Sequence, residues 1–423
     1  MHEVAEKWKK YIFPAISTYY EEPLVMVKGE GKHLYDATGK EYLDFFGGIL
    51  TVSVGHCNPK ICDRVVEQVK TLQHTSTVYI VESMVELAET IARVAPGDLQ
   101  KSFFLNSGTE ADETAILLAT IATDRDEFIA LRHGYSGRSA LAMSLTAHSS
   151  WRQGRGLWAN VKHAHSPYCY RCAFGKSYPD CNLECAKDIE ELIRTSTSGA
   201  IAAFLAEPIQ GVGGFITPPK EYFKEAVSII KKYGGLFISD EVQTGWGRTG
   251  TKMFGIEHWD VVPDMMTFAK GLANGAPIGA VLTTAEIADS WHGPSISTFG
   301  GNPVSMVAAQ ATIDFIVEED IPSNAETVGA HLREGLLGLQ DKYPAIGDVR
   351  GMGLMQAIEI VGENKTPKPD LVLRLFEETK KHGLLIGRGG LYNNVSIITP
   401  PMTVTKSDVD EAIRIFDKAF ASL

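Results

Sequence analysis

Between residues 60 and 310, short runs that are apolar at nearly every position alternate with stretches whose apolar residues recur at helical spacing. The runs are KSFFLN, EFIALR, IAAFLAE, LFISDE, MMTFA and IGAVLTT. A strand that is apolar on both sides has both faces covered, so these runs predict a mostly parallel sheet clad by helices front and back. Ligands of such sheets gather at the carboxyl ends of the strands. Upstream, residues 24–46 alternate as a β-meander with turn chemistry at Asp36-Ala37-Thr38-Gly39. Downstream of Pro303 a helix is expected, with Val307, Ala311, Phe315 and Ile316 on its apolar positions. From about residue 320 a second α/β lobe follows, containing GLMQAIEIV, HGLLIGRG and a closing amphipathic helix, VDEAIRIFDKAF. The meander is too small to be stable alone and is expected to pack on that lobe. The organisation read from the pattern is a segment 1–58 joined to the small domain, a large ligand-binding domain 59–318 and a C-terminal small domain 319–423.

Composition narrows the class. A chain of 423 residues exceeds the roughly 250–300 at which a single core stops growing, which suits two lobes. A formal net charge of −12 and a pI near 5.5 argue against nucleic acid or an anionic membrane as the main partner, since either needs a cationic face. The opening MHEVAEKWKKYIFPAISTYY lacks the continuous apolar core and cleavage site of a signal peptide, no run is long enough to span a bilayer, and a cytoplasmic location is expected. Four of the six cysteines, Cys169, Cys172, Cys181 and Cys185, crowd into PYCYRCAFGKSYPDCNLECA. Their spacing admits a structural zinc, with reduced or locally paired thiols the commoner outcome; four thiolates would leave no open catalytic position. No catalytic metal is expected.

Asp240 follows Leu236-Phe237-Ile238-Ser239 and should emerge at the carboxyl end of a central strand. A carboxylate there can keep a pyridine nitrogen protonated and make the ring an electron sink; alone, a strand-end Asp is equally a helix cap or an ion-pair partner. Lys270, in Phe268-Ala269-Lys270-Gly271, follows another apolar run among small residues. Desolvation there lowers its pKa and lets it form an imine near neutral pH, although an isolated strand-end lysine is usually a surface group. Asn106-Ser107-Gly108-Thr109-Glu110 joins KSFFL to a helix carrying Ala111, Ala115, Leu118, Ala119 and Ala122. Strand, glycine turn and helix start make a phosphate site, and Ser107-x-x-Glu110 is also a simple capping box. Ser297-Thr298-Phe299-Gly300-Gly301-Asn302-Pro303 offers a second hydroxyl at a helix entry, and Tyr135 of HGYSGR can stack on a flat ring.

In this order the motifs NSGTEA, HGYSG, AEPIQGVGG, SDEVQTGWGRTG, TFAKGLANG and STFGGNP resemble the class III aminotransferases, over nearly the whole chain. The resemblance implies an α/β fold of type I with a large, mostly parallel seven-stranded sheet, a smaller α+β domain from both chain ends, and pyridoxal 5'-phosphate as cofactor. It implies that Lys270 bonds the cofactor and shuttles the proton, and that Asp240 pairs with the ring nitrogen. Val242 packs under the ring and Tyr135 over it, Gln243 reaches the phenolic oxygen, and Ser107, Gly108 and Thr109 cradle the phosphate. Thr298 comes from a neighbouring subunit, so a homodimer or a dimer of dimers is implied.

The implied reaction is a ping-pong transfer of an amino group from an amine donor to a keto-acid acceptor. In the family Glu207 of AEPIQ often pairs with an arginine, and Arg138 stands where 4-aminobutyrate aminotransferases hold a substrate carboxylate. Their second such arginine corresponds here to Ser396, with Arg388 nearby as a substitute. Serine cannot restore bidentate carboxylate recognition. The departure favours simple amines or β- and ω-amino acids as donors, with pyruvate or glyoxylate as acceptor, over a 4-aminobutyrate or ornithine enzyme using 2-oxoglutarate. An aminomutase or racemase would share the lysine and aspartate, and a zinc-linked interaction module would rest on the cysteines alone.

Overall fold

Alternate residues of the apolar runs part to two sides of one sheet. In the computed structural model, which describes residues 2–153 and 160–423, Phe104, Ile129, Phe204, Phe237 and Met266 point into one core, and their sequence neighbours Leu105, Phe128, Leu205, Ile238 and Met265 into another. A period of two with both faces apolar is what makes each strand read as an unbroken run.

After a helix, His2–Tyr11, come three strands, β1 (Met26–Glu30), β2 (His33–Asp36) and β3 (Glu41–Asp44). Seven form the large sheet: β4 (Lys101–Leu105), β5 (Glu127–Leu131), β6 (Asn160–Ala164), β7 (Ile201–Ala206), β8 (Leu236–Asp240), β9 (Met265–Phe268) and β10 (Gly279–Thr283). Their order is β4-β10-β9-β8-β7-β5-β6, with β10 antiparallel to both neighbours and the pairs from β9 through β8, β7 and β5 to β6 parallel. The edge strand β6, NVKHA, was not among the apolar runs. An edge strand is covered less, and four of its five residues are exposed or half-buried.

The chain ends build the small domain. β11 (Ile346–Met352), β12 (Met355–Ile360), β14 (Gly387–Gly389) and β15 (Val395–Ile398) form one sheet, and β13 (Leu384–Leu385) joins the N-terminal meander. The meander closes on Asp36, whose Oδ1 accepts the Thr38 amide at 2.8 Å. HGLLIGRG supplies two strands: β13 pairs in parallel with β3, and β14 pairs with β15. The switch occurs where Phe46 packs on Gly387, at which a Cβ would stand 2.3 Å from the ring. The helix Pro303–Glu318 buries Ala311 and Ile316, and Lys406–Ala421 closes the chain behind a Thr405 cap. Among the described residues no helix is long and apolar enough to cross a membrane.

Candidate active site

The register of two parallel strands brings the reactive pair together. Asp240 is the last residue of β8 and pairs with Thr267 of β9; β9 ends at Phe268, and Lys270 opens the next turn. Lys270 sits at φ 43, a left-handed conformation uncommon for a residue with a side chain and characteristic of functional turns. Gly271 follows because the backbone passes Ser53 so closely that a Cβ would stand 2.4 Å from its hydroxyl.

A cavity of about 190 Å³ opens at these strand ends. It is lined by Gly108 and Thr109 at the start of the helix Gly108–Thr123, Tyr135 and Glu207 from the turns after β5 and β7, Asp240 at the end of β8 with Val242 and Gln243 after it, and Lys270. Asp112, Ser136, Gly137 and Ala269 complete the lining. Gly137 is pressed against Thr109 at φ 129, with room for no Cβ. Gln243 lies against Gly211, where a Cβ would meet its Oε1 at 2.1 Å. The segment after Asp240 is anchored from behind by Glu241, which accepts the Gly255 and Ile256 amides at 2.8 Å each. Glu241 faces away from the cavity.

Three carboxyls and one amine share this space. Burial pushes the pKa of Lys270 down against the attraction of Asp240, Glu207 and Asp112, which favours the neutral amine over an ordinary lysine's ammonium. Burial raises Asp240, opposed by the Val242 amide, which donates to its Oδ1 at 3.0 Å, and by Lys270. Glu207 is raised by burial and by the charge of Asp240, while Tyr135 and Gly211 amides donate to its two oxygens at 3.1 and 2.7 Å. Asp112 is raised well above the carboxylate range by burial and by Asp240.

Other expected residues stand apart. Ser107 caps the helix, accepting the Glu110 amide at 3.2 Å, while Glu110 turns back to the Asn106 amide at 2.7 Å. Its hydroxyl therefore serves the helix and does not line the cavity. Thr298 is exposed on a loop held to β4 through Asn106 and Ser297. Arg138 is exposed; Arg388 lies over the Tyr19 ring, 5.7 Å from its centroid, opposite the buried Ser396. None of these lines the cavity. The four clustered cysteines are free thiols, and no group of three or more His, Cys, Asp or Glu side chains among the described residues is placed to hold a metal, so the zinc reading gains no ligand geometry.

The lining suits an anionic, aldehyde-bearing aromatic cofactor: a desolvated amine and a carboxyl on adjacent strand ends, a helix start with a hydroxyl at one side, and two glycines where side chains would fill the space. The chain matches the model of the family aminotransferase class-III over residues 16–420. It is 41% identical over 423 residues to alanine–glyoxylate aminotransferase 2 homolog 2, mitochondrial, of Arabidopsis thaliana, covering 99% of this chain and 87% of that one. The human alanine–glyoxylate aminotransferase 2, mitochondrial, is 37% identical over 441 residues, covering 99% and 86%. A thermostable (S)-enantioselective omega-transaminase structure from Thermomicrobium roseum superposes with a TM-score of 0.92 at 32% identity, covering 100% of this chain and 98% of that one. The chain belongs to the class III aminotransferases, the pyridoxal-phosphate enzymes of fold type I.

Proposed function

We propose that this aminotransferase moves an amino group from an amine or a β- or ω-amino acid to pyruvate or glyoxylate, with Lys270 and Asp240 as its catalytic pair. The observation that carries the reading is a cavity in which a desolvated Lys270 stands with Asp240 beside a helix start. Gly108 and Thr109 would hold the phosphate of pyridoxal phosphate, Asp240 its ring nitrogen, and Tyr135 and Val242 the two faces of the ring, with Gln243 at the phenolic oxygen. When bound, the cofactor supplies an electron sink for charge that develops at the donor carbon. Lys270 Nζ, whose ammonium form burial disfavours, would bond the cofactor aldehyde and, once the donor amine has displaced it, would carry the proton from the donor carbon to the cofactor, the acceptor half running the same transfer in reverse. Asp240 keeps a negative charge at the end of β8, where a protonated ring nitrogen is favoured. Glu207, held by two amides, fixes the turn beside Tyr135, and a cationic substrate group or an arginine brought against it would favour its ionised form over the neutral acid that burial and Asp240 favour.

The acceptor preference is supported by the names of the two alanine–glyoxylate relatives and by the position of the arginines: Arg138 and Arg388 lie outside the cavity. We also infer a dimer completed by Thr298. Val78, Tyr79, Ile80, Ile296 and Phe299 expose apolar side chains around that loop, Ile80 at 92%, and a face of that kind asks for a partner surface.

Half-reactions test the acceptor. The amine-loaded holoenzyme, mixed with pyruvate, glyoxylate or 2-oxoglutarate, is expected to return to its starting spectrum fastest with the first two. A clear preference for 2-oxoglutarate would overturn the assignment, and inversion of one amino acid without net amino transfer would point to a racemase.

A further inference from the structure

Behind Asp240 stands a carboxyl that the chemistry above leaves without a task. Asp112 lies in the second turn of the helix Gly108–Thr123, is 1% exposed and lines the same cavity. Its Oδ1 accepts the hydroxyl of Thr267 at 2.7 Å, and Thr267 is the residue paired with Asp240 across β8 and β9. The Asp112 and Asp240 carboxyls also lie within reach of a side-chain hydrogen bond. Such a bond needs one proton, because two ionised carboxylates have no donor between them and repel.

The surroundings decide which residue keeps that proton. Asp240 also accepts the Val242 amide and feels the Lys270 amine, both of which favour its ionised form. Asp112 has the Thr267 hydroxyl, while burial, Asp240 and Glu207 all disfavour its charge. The dipole of its own helix pulls the other way, but that effect fades within the first turn. β10 and the short helix Ala140–Leu145, also packed on this helix, carry no ionisable side chain. Lys101 of β4 lies farther along, beside Thr114 and Leu118, and Glu286 is exposed.

We propose that Asp112 is a positioning residue: a neutral carboxylic acid at working pH that donates its proton to Asp240 while accepting from Thr267. It thereby fixes the rotamer of Asp240 and keeps the negative charge on the oxygens that face the cavity. The inference rests on Asp240 facing the cofactor ring, as proposed above. A second buried carboxylate would repel Asp240; a carboxylic acid orients it.

Infrared difference spectra of the holoenzyme with isotope-labelled aspartate test this. Subtracting Asp112→Asn from the parent at neutral pH is expected to reveal one carboxylic-acid C=O stretch; its absence would show Asp112 ionised and overturn the proposal. Asp112→Ala is expected to lower kcat about 10-fold, the loss of one hydrogen bond to a charged group. Asp112→Asn, which keeps a donor for Asp240 and an acceptor for Thr267, should recover most of that. An Asn variant as slow as the Ala variant, or an Ala variant with parental kcat, would also overturn it. The infrared band reports on Asp112 whatever Asp240 does, whereas parental kcat in Asp240→Asn would remove the premise and leave the parent's band in place.

Discussion

At the scale of single residues, position along the chain said more than residue type. Asp240 and Lys270 were legible because each follows an apolar run, and the end of a buried strand fixes where the next side chain goes. Asp112 was not legible: an aspartate in a helix ordinarily faces water, and only the register that sets Thr267 beside Asp240 reveals that this one is buried against both. The arginines are the opposite case. Arg138 and Arg388 are near the site in sequence motifs, but the direction of a long side chain follows from neighbours such as Tyr19, which no motif records. Asp240→Asn keeps the shape and removes the charge, so kcat is expected to fall about 100-fold or more, the effect of taking one preorganised charge out of an active site. Steady-state kinetics with any accepted donor would show it, and an Asn enzyme as fast as the parent would take Asp240 out of the chemistry.

At the scale of elements, the strands apolar on both faces were found from their runs and the half-covered β6 was not, because edge strands alternate weakly. The division of HGLLIGRG between two sheets depends on Phe46, more than three hundred residues upstream, and no local pattern carries such a contact. One set of elements is held by a charge network. Glu359 of β12 accepts Arg350 of β11 at 2.8 Å and Arg171 of the cysteine-rich excursion at 2.5 Å, and also bonds the Tyr168 hydroxyl. Its side chain is 0% exposed. Burial raises its pKa, but Arg350, Tyr168 and Arg171 more than offset this and hold it below the usual 4.5. A depressed carboxyl stabilises the fold above its unfolded pKa, and that share is lost as pH falls through the lower folded value. Glu359→Ala, which leaves Arg171 without its carboxylate and Arg350 with Asp348 alone, is therefore expected to cost about 3–5 kcal/mol at neutral pH. Denaturant titrations should show the gap to the parent narrowing below pH 4.5, and a gap independent of pH would contradict the assigned charge.

At the scale of the whole molecule, the fold class followed from the alternation of apolar runs and helices, since few architectures cover a parallel sheet on both faces. The chain ends were harder. A three-stranded meander fixes its own turn at Asp36 but not the strand it pairs with, and β13 lies far away in sequence. Assembly is a matter of this scale too. The exposed Tyr79, Ile80, Ile296 and Phe299 beside Thr298 predict that light scattering gives at least twice the 46.2 kDa chain mass. An active monomer at assay concentration would remove Thr298 from the site. The claim on which the rest depends is that Lys270 bonds the cofactor. Borohydride reduction of the holoenzyme, followed by peptide mass analysis, measures it directly. A reduced pyridoxyl-phosphate adduct is expected on Lys270 and none in Lys270→Ala; an adduct on any other lysine, or the same yield from the Ala variant, would remove Lys270 from that role.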